Sequence, residues 1–158
     1  MFKGKNILGK MVFDLYFGKK LGRVRDIIFD PRSREALGII ITGKSILHVF
    51  QWIDFKNIQR MGENILVVFP GTKVSNVREI PHVKDLLKMN IKNLWGLEVI
   101  TSRGRLMGIL EDVYLRIPGG EFAGIQVSLG FIDDFLSGRE FIVSEEVGNF
   151  GVDSVTII

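Results

Sequence analysis

The chain has 158 residues, of which 46% are hydrophobic and 25% charged, so it is composed like a folded globular protein and is too apolar to be disordered. The absence of cysteine excludes disulfides, thiolate metal sites and a cysteine nucleophile. The net charge of +3 is unevenly placed: residues 1–80 carry 14 Lys and Arg against 7 Asp and Glu, whereas residues 81–158 carry 7 against 11. This asymmetry fits docking of the two halves, head-to-tail stacking of copies or attraction to a phosphate-rich surface, and simple drift of surface charge explains it equally well.

The first residues, MFKGKNILGKMVF, do not contain the apolar run of a signal peptide. No later segment approaches the roughly 18 consecutive apolar residues that a membrane-spanning helix needs. We therefore expect a cytoplasmic protein, with peripheral attachment to a membrane as the alternative.

An internal repeat with an offset of 86 residues covers most of the chain. GRVRDIIFD (22–30) recurs as GILEDVYLR (108–116), and EALGIII (35–41) recurs as EFAGIQV (121–127). Two copies in one register indicate a duplicated domain rather than a solenoid. The repeated residues that we predict to be structural are Gly22 and Gly108, Asp26 and Asp112, and Gly38 and Gly124.

Short β-type segments separated by turn residues fill both copies, which predicts an antiparallel barrel in each half. Strict alternation along the strand after Gly22 places Val24, Asp26 and Ile28 on one face. The same alternation predicts that Arg23, Arg25, Ile27 and Phe29 lie on the opposite face.

The repeated aspartates could be catalytic or structural. An unpaired buried carboxylate costs several kcal/mol, so each acid needs donors, and the nearest are backbone amides at an adjacent turn. Catalysis would require a second titratable group that recurs beside each acid, and the sequence has none. We interpret Asp26 and Asp112 as structural residues that fix the register of their hairpins.

Basic residues gather around the first hairpin and the turn after it. Aromatic residues near them are few, and a charged edge that prevents strand-to-strand aggregation is the simpler explanation. A surface that binds the phosphates of RNA or of anionic lipid is the functional alternative. The candidate basic patch consists of Lys19, Lys20, Arg23, Arg25, Arg32 and Arg34.

GIIITGKS (38–45) matches the phosphate-loop pattern, but we do not predict a nucleotide site there. The residues between its glycines are a stiff β-branched run, and the next segment of the chain is also strand-like rather than helical. The chain contains just two histidines, and neither has a metal-type spacing to other ligands. We predict no catalytic residue, no metal and no cofactor.

Two short helices interrupt the strand pattern. Ile80, Val83, Leu86 and Leu87 fall on one helical stripe, and Pro81 suits a position in the first turn. This predicts an amphipathic helical linker over residues 76–91 between domains at 1–75 and 92–158. The second, in GFIDDFLSGRE, has acidic residues on its other side and no equivalent in the first copy. Its apolar side, with the arginine after it, is our candidate partner contact: Phe131, Ile132, Phe135, Leu136 and Arg139.

GKKLGRVRDIIFDPRSREALGIIITG (18–43) followed by FQWIDFKNIQRMGENILVV (50–68) resembles the PRC-barrel pattern of a Gly-rich strand, a turn, an apolar strand and a Gly-Glu turn. RGRLMGILEDVYLRIPGGEFAGIQVSLGFIDDFLSGREF (103–141) resembles the second domain of bacterial tandem PRC-barrel proteins. The resemblance extends to the cytoplasmic domain of the photosynthetic reaction centre H subunit. It implies an all-β fold of two six-stranded barrels.

In that family the barrels act as protein-binding and assembly modules rather than enzymes. We therefore expect a non-enzymatic interaction module that binds an unidentified protein partner. A homo-oligomer and a binder of RNA or an anionic membrane surface through the basic first half are the alternatives. High salt would weaken binding to phosphates far more than it would weaken docking through an apolar helix.

Overall fold

The computed structural model describes residues 1–43, 49–130 and 138–158, and strands make up most of its secondary structure. We call residues 1–80 the first half and residues 81–158 the second half. The elements of the first half are β1 (Phe2–Lys3), α1 (Gly4–Ile7), β2 (Met11–Asp14), β3 (Lys19–Asp30), β4 (Glu35–Thr42), β5 (Phe50–Asp54), β6 (Ile58–Met61), β7 (Ile65–Val68) and β8 (Ser75–Asn76). Those of the second half are α2 (Val83–Lys88), β9 (Glu98–Thr101), β10 (Leu106–Leu115), β11 (Phe122–Ser128), β12 (Glu140–Val143), β13 (Val147–Phe150) and β14 (Ser154–Ile157).

The two halves contain sheets of the same topology. The first runs β6-β7-β2-β3-β4-β5-β8 and the second runs β13-β14-β9-β10-β11-β12, with β1 paired to β10. The predicted all-β tandem architecture is confirmed. Two details differ from the expectation: β2–β7 and β9–β14 pair in parallel, and the barrels are not strictly closed.

The repeated glycines lie where the backbone of the next strand approaches most closely. A Cβ on Gly22 would lie closer than 3.0 Å to the carbonyl oxygen of Thr42, and one on Gly108 equally close to that of Ser128. These two carbonyls are themselves 86 residues apart. The glycine repeat therefore records the same close approach in each half.

The long strands β3 and β10 each carry an irregularity beside the repeated aspartate. The register shifts between Val24 and Asp26 in one copy and between Leu110 and Asp112 in the other. A bulge exchanges the two faces of a strand beyond it. The predicted faces are therefore wrong at Val24, which enters the main core together with Ile27 and Phe29 and does not share a face with Asp26.

The halves exchange their leading segments. β1 of the first half pairs with β10 of the second, with Phe2 opposite Leu115. Reciprocally, Asn90 forms a bridge to Ile28 of β3, and the N–H of Phe29 donates to the carbonyl of Met89 over 2.8 Å. One buried apolar cluster accordingly contains residues of both halves.

A second apolar cluster lies outside the first sheet, formed by Ile28, Ile40, Trp52 and Val77. The linker covers it, because Ile80, Val83 and Leu86 of the predicted stripe pack against these side chains. Leu87, the fourth residue of the stripe, is exposed instead. Pro81 precedes the helix rather than opening its first turn, since α2 begins at Val83 after His82 in a left-handed conformation.

Candidate functional site

The repeated acids lie at the two places where one half holds the leading segment of the other. Asp112 is buried, and its carboxylate accepts the backbone N–H of Lys5 at 3.1 Å and that of Val113 at 2.9 Å. Burial raises the pKa of Asp112, an effect larger than the opposing stabilisation by these two amides and by the charges of Lys5 and Lys3. The predicted amide partners are present, although Lys5 belongs to the opposite end of the chain rather than to a nearby turn.

Asp26 has the equivalent place but different partners. Its carboxylate accepts a hydrogen bond from Nζ of Lys92 at 2.5 Å and lies 3.6 Å from Nε of Arg25. Partial burial opposes ionisation of Asp26, but the bonds from Lys92 and Asn90 and the neighbouring positive charges outweigh it and lower the pKa. The expectation of backbone amide partners at a nearby turn is therefore not met at this position.

The opposite pKa shifts give the two acids opposite effects on stability. The stabilisation from Asp26 is present above the ordinary aspartate pKa of about 3.9 and is lost as the pH falls through the lowered value. That from Asp112 is present below about pH 3.9 and is lost as the pH rises through the raised value. We expect Asp112→Asn to gain stability relative to the parent protein as the pH rises from acid to neutral, and Asp26→Asn to lose it. Urea unfolding across this range measures both, and parallel pH profiles for the two variants would contradict the assignment.

The six residues of the predicted basic patch do not share one environment. Lys19, Lys20 and Arg32 are exposed, and Arg23 donates from a guanidinium nitrogen to the carbonyl of Gly9 at 2.6 Å. The guanidinium of Arg25 lies 4.6 Å from the centre of the Phe50 ring.

Arg34 reaches into the second half. Its side chain donates to the backbone carbonyls of Ser144, Val147 and Gly148 at 2.7–3.0 Å. These bonds join the two halves. The position of Arg34 in a charged run of the sequence gives no sign of this role.

Phe131, Ile132, Phe135 and Leu136, the apolar part of the predicted partner contact, lie outside the described residues, so this contact stays a prediction. Arg139 is described, and its Nε pairs with a carboxylate oxygen of Glu111 at 2.9 Å. Lys44, Ser45 and His48 also lie outside the described residues. The preceding part of the phosphate-loop look-alike, Gly38 to Thr42, is contained in β4.

Both remaining structural glycines contact the neighbouring strand. A Cβ on Gly38 would meet the ring of Trp52, and one on Gly124 would meet the carbonyl of Ile142 and the ring of Phe141. At both positions the neighbouring strand leaves no room for a side chain.

An apolar groove lies between β5 and α2, with a volume of about 510 Å³. Arg78 and Asn76 add polar groups to its wall. The apolar residues that line it are Val49, Phe50, Val77, Val83 and Leu87. Phe50 and Leu87 are 37% and 43% exposed, so the groove presents accessible apolar surface.

A second exposed apolar feature is the turn between β2 and β3. Leu15, Tyr16 and Phe17 are all exposed there and are followed by exposed Gly18, Lys19 and Lys20. We call Leu15–Phe17 the tip. The signal for it in the sequence is the repeat itself, since Phe17 aligns with Arg103 and the second copy is polar at this turn.

Within the described ranges, no three His, Asp or Glu side chains are grouped so that they could hold a metal ion. No helix in these same ranges has the length and apolarity required to span a membrane.

The repeated topology, the shared glycine contacts and the exposed apolar surfaces define a tandem protein of two small barrel-like β-domains. The chain belongs to the PRC-barrel domain family, whose model matches residues 1–75 and 88–157. Domains of this family are in general non-catalytic and suggest a protein-interaction or assembly module. The comparison with curated proteins gave no match.

Proposed function

We propose that the protein is a non-enzymatic interaction module and that the groove between β5 and α2 receives an apolar segment of a protein partner. The observation that carries this proposal is the exposure of Phe50 and Leu87 on two different elements that face one groove. Binding would remove this apolar surface from water at about 25 cal/mol per Å². We propose the bacterial cytoplasm as the location, in keeping with a chain that has no cysteine.

The charges at the groove favour a segment that also carries a carboxylate. Arg78 lines the wall, and Arg25 holds its guanidinium over the ring of Phe50. Arg25 is already paired with Asp26 over 3.6 Å, so a bound acidic side chain would be attracted mainly by Arg78, which lies beside apolar surface. A segment of apolar and acidic residues therefore fits this groove better than a basic one.

Leu87→Asp tests the groove directly. Leu87 is exposed, so the change should leave folding intact, while a carboxylate beside the bound segment would weaken partner capture about tenfold or more. The control is Leu106→Asp, the same substitution at a leucine of the second half that is 59% exposed. Quantitative capture from the native cell extract, with the parent protein and both variants, provides the measurement.

One protein that binds the parent and Leu106→Asp equally but is lost from Leu87→Asp supports the proposal. A further variant with Phe131 and Phe135 changed to serine tests the contact predicted from the sequence. If only that variant loses the partner, or if Leu87→Asp keeps it, the groove is not the binding surface.

A further inference from the structure

The tip presents three consecutive large apolar side chains to water. Leu15, Tyr16 and Phe17 are 48%, 77% and 64% exposed, and the rings of Tyr16 and Phe17 pack edge to face at 4.9 Å. They lie in the hairpin turn between β2 and β3. Exposed apolar side chains at a hairpin turn are accessible for insertion into a membrane surface.

A buried carboxylate holds the tip in place. Asp14 is 4% exposed, and its two oxygens accept the N–H of Phe17 at 3.2 Å and the N–H of Gly71 at 2.8 Å. The second bond ties the tip to a neighbouring turn in which Phe69 and Lys73 are exposed. The apolar side chains are therefore presented on a preorganised platform, so that little ordering is needed when they bind.

The second half shows that the fold does not require apolar residues at this turn. The equivalent turn begins at Thr101 and continues with Ser102, Arg103 and Gly104. The N–H of Gly104 donates to the carbonyl of Thr101, just as the N–H of Gly18 donates to the carbonyl of Leu15 in the first half. Gly18 and Gly104 both adopt positive φ, at 60° and 80°. Because the polar sequence builds the same turn, the fold itself does not account for the exposed aromatic residues of the first half.

The charges around the tip identify the surface that it fits. Lys19 and Lys20 come directly after the tip, and Lys73 lies in the neighbouring turn; all three are exposed. The one acid within residues 14–20 and 69–73 is Asp14, whose oxygens are engaged by backbone amides. Aromatic side chains favour the headgroup level of a bilayer, and lysines extend their charges to anionic headgroups.

We propose that the tip, together with Lys19, Lys20 and Lys73, inserts into the surface of an anionic lipid bilayer. This inference goes beyond the proposed function, since it places the protein on a membrane through one surface while the groove binds a protein through another. The apolar tip supplies partition into the interface, and the lysines supply selectivity for negative lipids.

The test is co-sedimentation with vesicles of phosphatidylcholine and phosphatidylserine, compared with vesicles of phosphatidylcholine alone. We expect binding to the mixed vesicles and at least tenfold weaker binding to the neutral ones. Changing Tyr16 and Phe17 to serine should lower binding to mixed vesicles tenfold or more. The matched control changes Leu106 and Ile109, two exposed apolar residues of the second half, to serine and should bind like the parent.

A second pair of variants tests the charges. Lys19→Gln with Lys20→Gln should weaken binding about tenfold or more, because each basic residue near an anionic surface contributes roughly fivefold. Arg103→Gln with Arg105→Gln removes the same charge from the equivalent turn of the second half and should have little effect. Unfolding midpoints equal to that of the parent show that none of these variants acts through stability.

Insertion also has a spectroscopic signature. Phe17→Trp should shift its fluorescence to the blue on addition of mixed vesicles, whereas Ser102→Trp at the equivalent turn should not. Absence of vesicle binding, equal binding to neutral vesicles, or unchanged binding after loss of Tyr16 and Phe17 would overturn the proposal. So would a tip variant that changes the oligomeric state in lipid-free buffer while the parent ignores vesicles, because a second copy would then cover the tip.

Discussion

Alanine at Gly22 or at Gly108 is expected to lower the free energy of unfolding by about 3 kcal/mol or more. At either position the new methyl group would lie closer than 3.0 Å to a carbonyl oxygen, that of Thr42 or that of Ser128. The atom that would have to move belongs to the backbone of a hydrogen-bonded strand, so relief requires that the ladder shift. Both glycines also have φ near +150°, which adds strain for any residue with a Cβ. Urea unfolding followed by tryptophan fluorescence measures the loss.

Gly62→Ala is the control for this prediction. A Cβ at Gly62 would be no nearer than 3.5 Å to its neighbours, an ordinary contact, and its φ is not in the left-handed region. We expect a change within about 0.5 kcal/mol there. A small effect at Gly22 or Gly108 would mean that the strands can separate freely at this point, and the structural explanation of the glycine repeat would then be wrong.

The repeat in the sequence allows much of the fold to be predicted. Glycine is needed where the next strand leaves no room for a Cβ: Gly22 and Gly108 face a backbone carbonyl, and Gly38 and Gly124 each face an aromatic ring. Turn residues and β-branched runs locate most strands for the same local reasons. These features depend on residues that are close together in the chain, so they can be predicted from the sequence.

The exchange of leading segments between the halves could not be predicted in this way. The pairing of Phe2 with Leu115 and that of Asn90 with Ile28 depend on tertiary placement rather than on local propensity. The bulge before Asp26 is equally invisible to an argument from strict alternation, because one extra residue inverts every face beyond it. Arg34 illustrates the same limit, since its carbonyl partners lie more than 100 residues away.

The two candidate surfaces, the groove and the tip, also differ in how far the sequence predicts them. The stripe of the linker helix predicts Val83 and Leu86 as packing residues, but the exposure of Leu87 depends on how far α2 covers the first sheet. The tip is different, because a comparison of Phe17 with Arg103 in the two copies already marks it as a departure from the common pattern. At an exposed turn that both copies build, a large apolar residue in one copy opposite a polar residue in the other is a candidate for binding.

Phe29→Ala is expected to cost about 3–5 kcal/mol and to destabilise both halves together. Phe29 belongs to β3 of the first half and is 1% exposed. Its ring centre lies 5.9 Å from that of Phe122 and 6.0 Å from that of Phe150, both in the second half. Removing the ring leaves a cavity between the two sheets, and neither sheet can close it alone. Each half loses the surface against which the other is packed.

Fluorescence of the two tryptophans allows this prediction to be tested, because Trp52 lies in β5 of the first half and Trp95 precedes β9 of the second. Single-tryptophan backgrounds, Trp95→Phe and Trp52→Phe, should show equal shifts of the unfolding midpoint on Phe29→Ala if the core is shared. Phe17→Ala is the control: its ring is 64% exposed, so neither reporter should move. A shift seen by Trp52 but not by Trp95 would mean that the halves unfold independently. The exchanged segments and the Arg34 bonds would then contribute little to the coupling, and the basic and acidic halves would have to be treated as separate binding units.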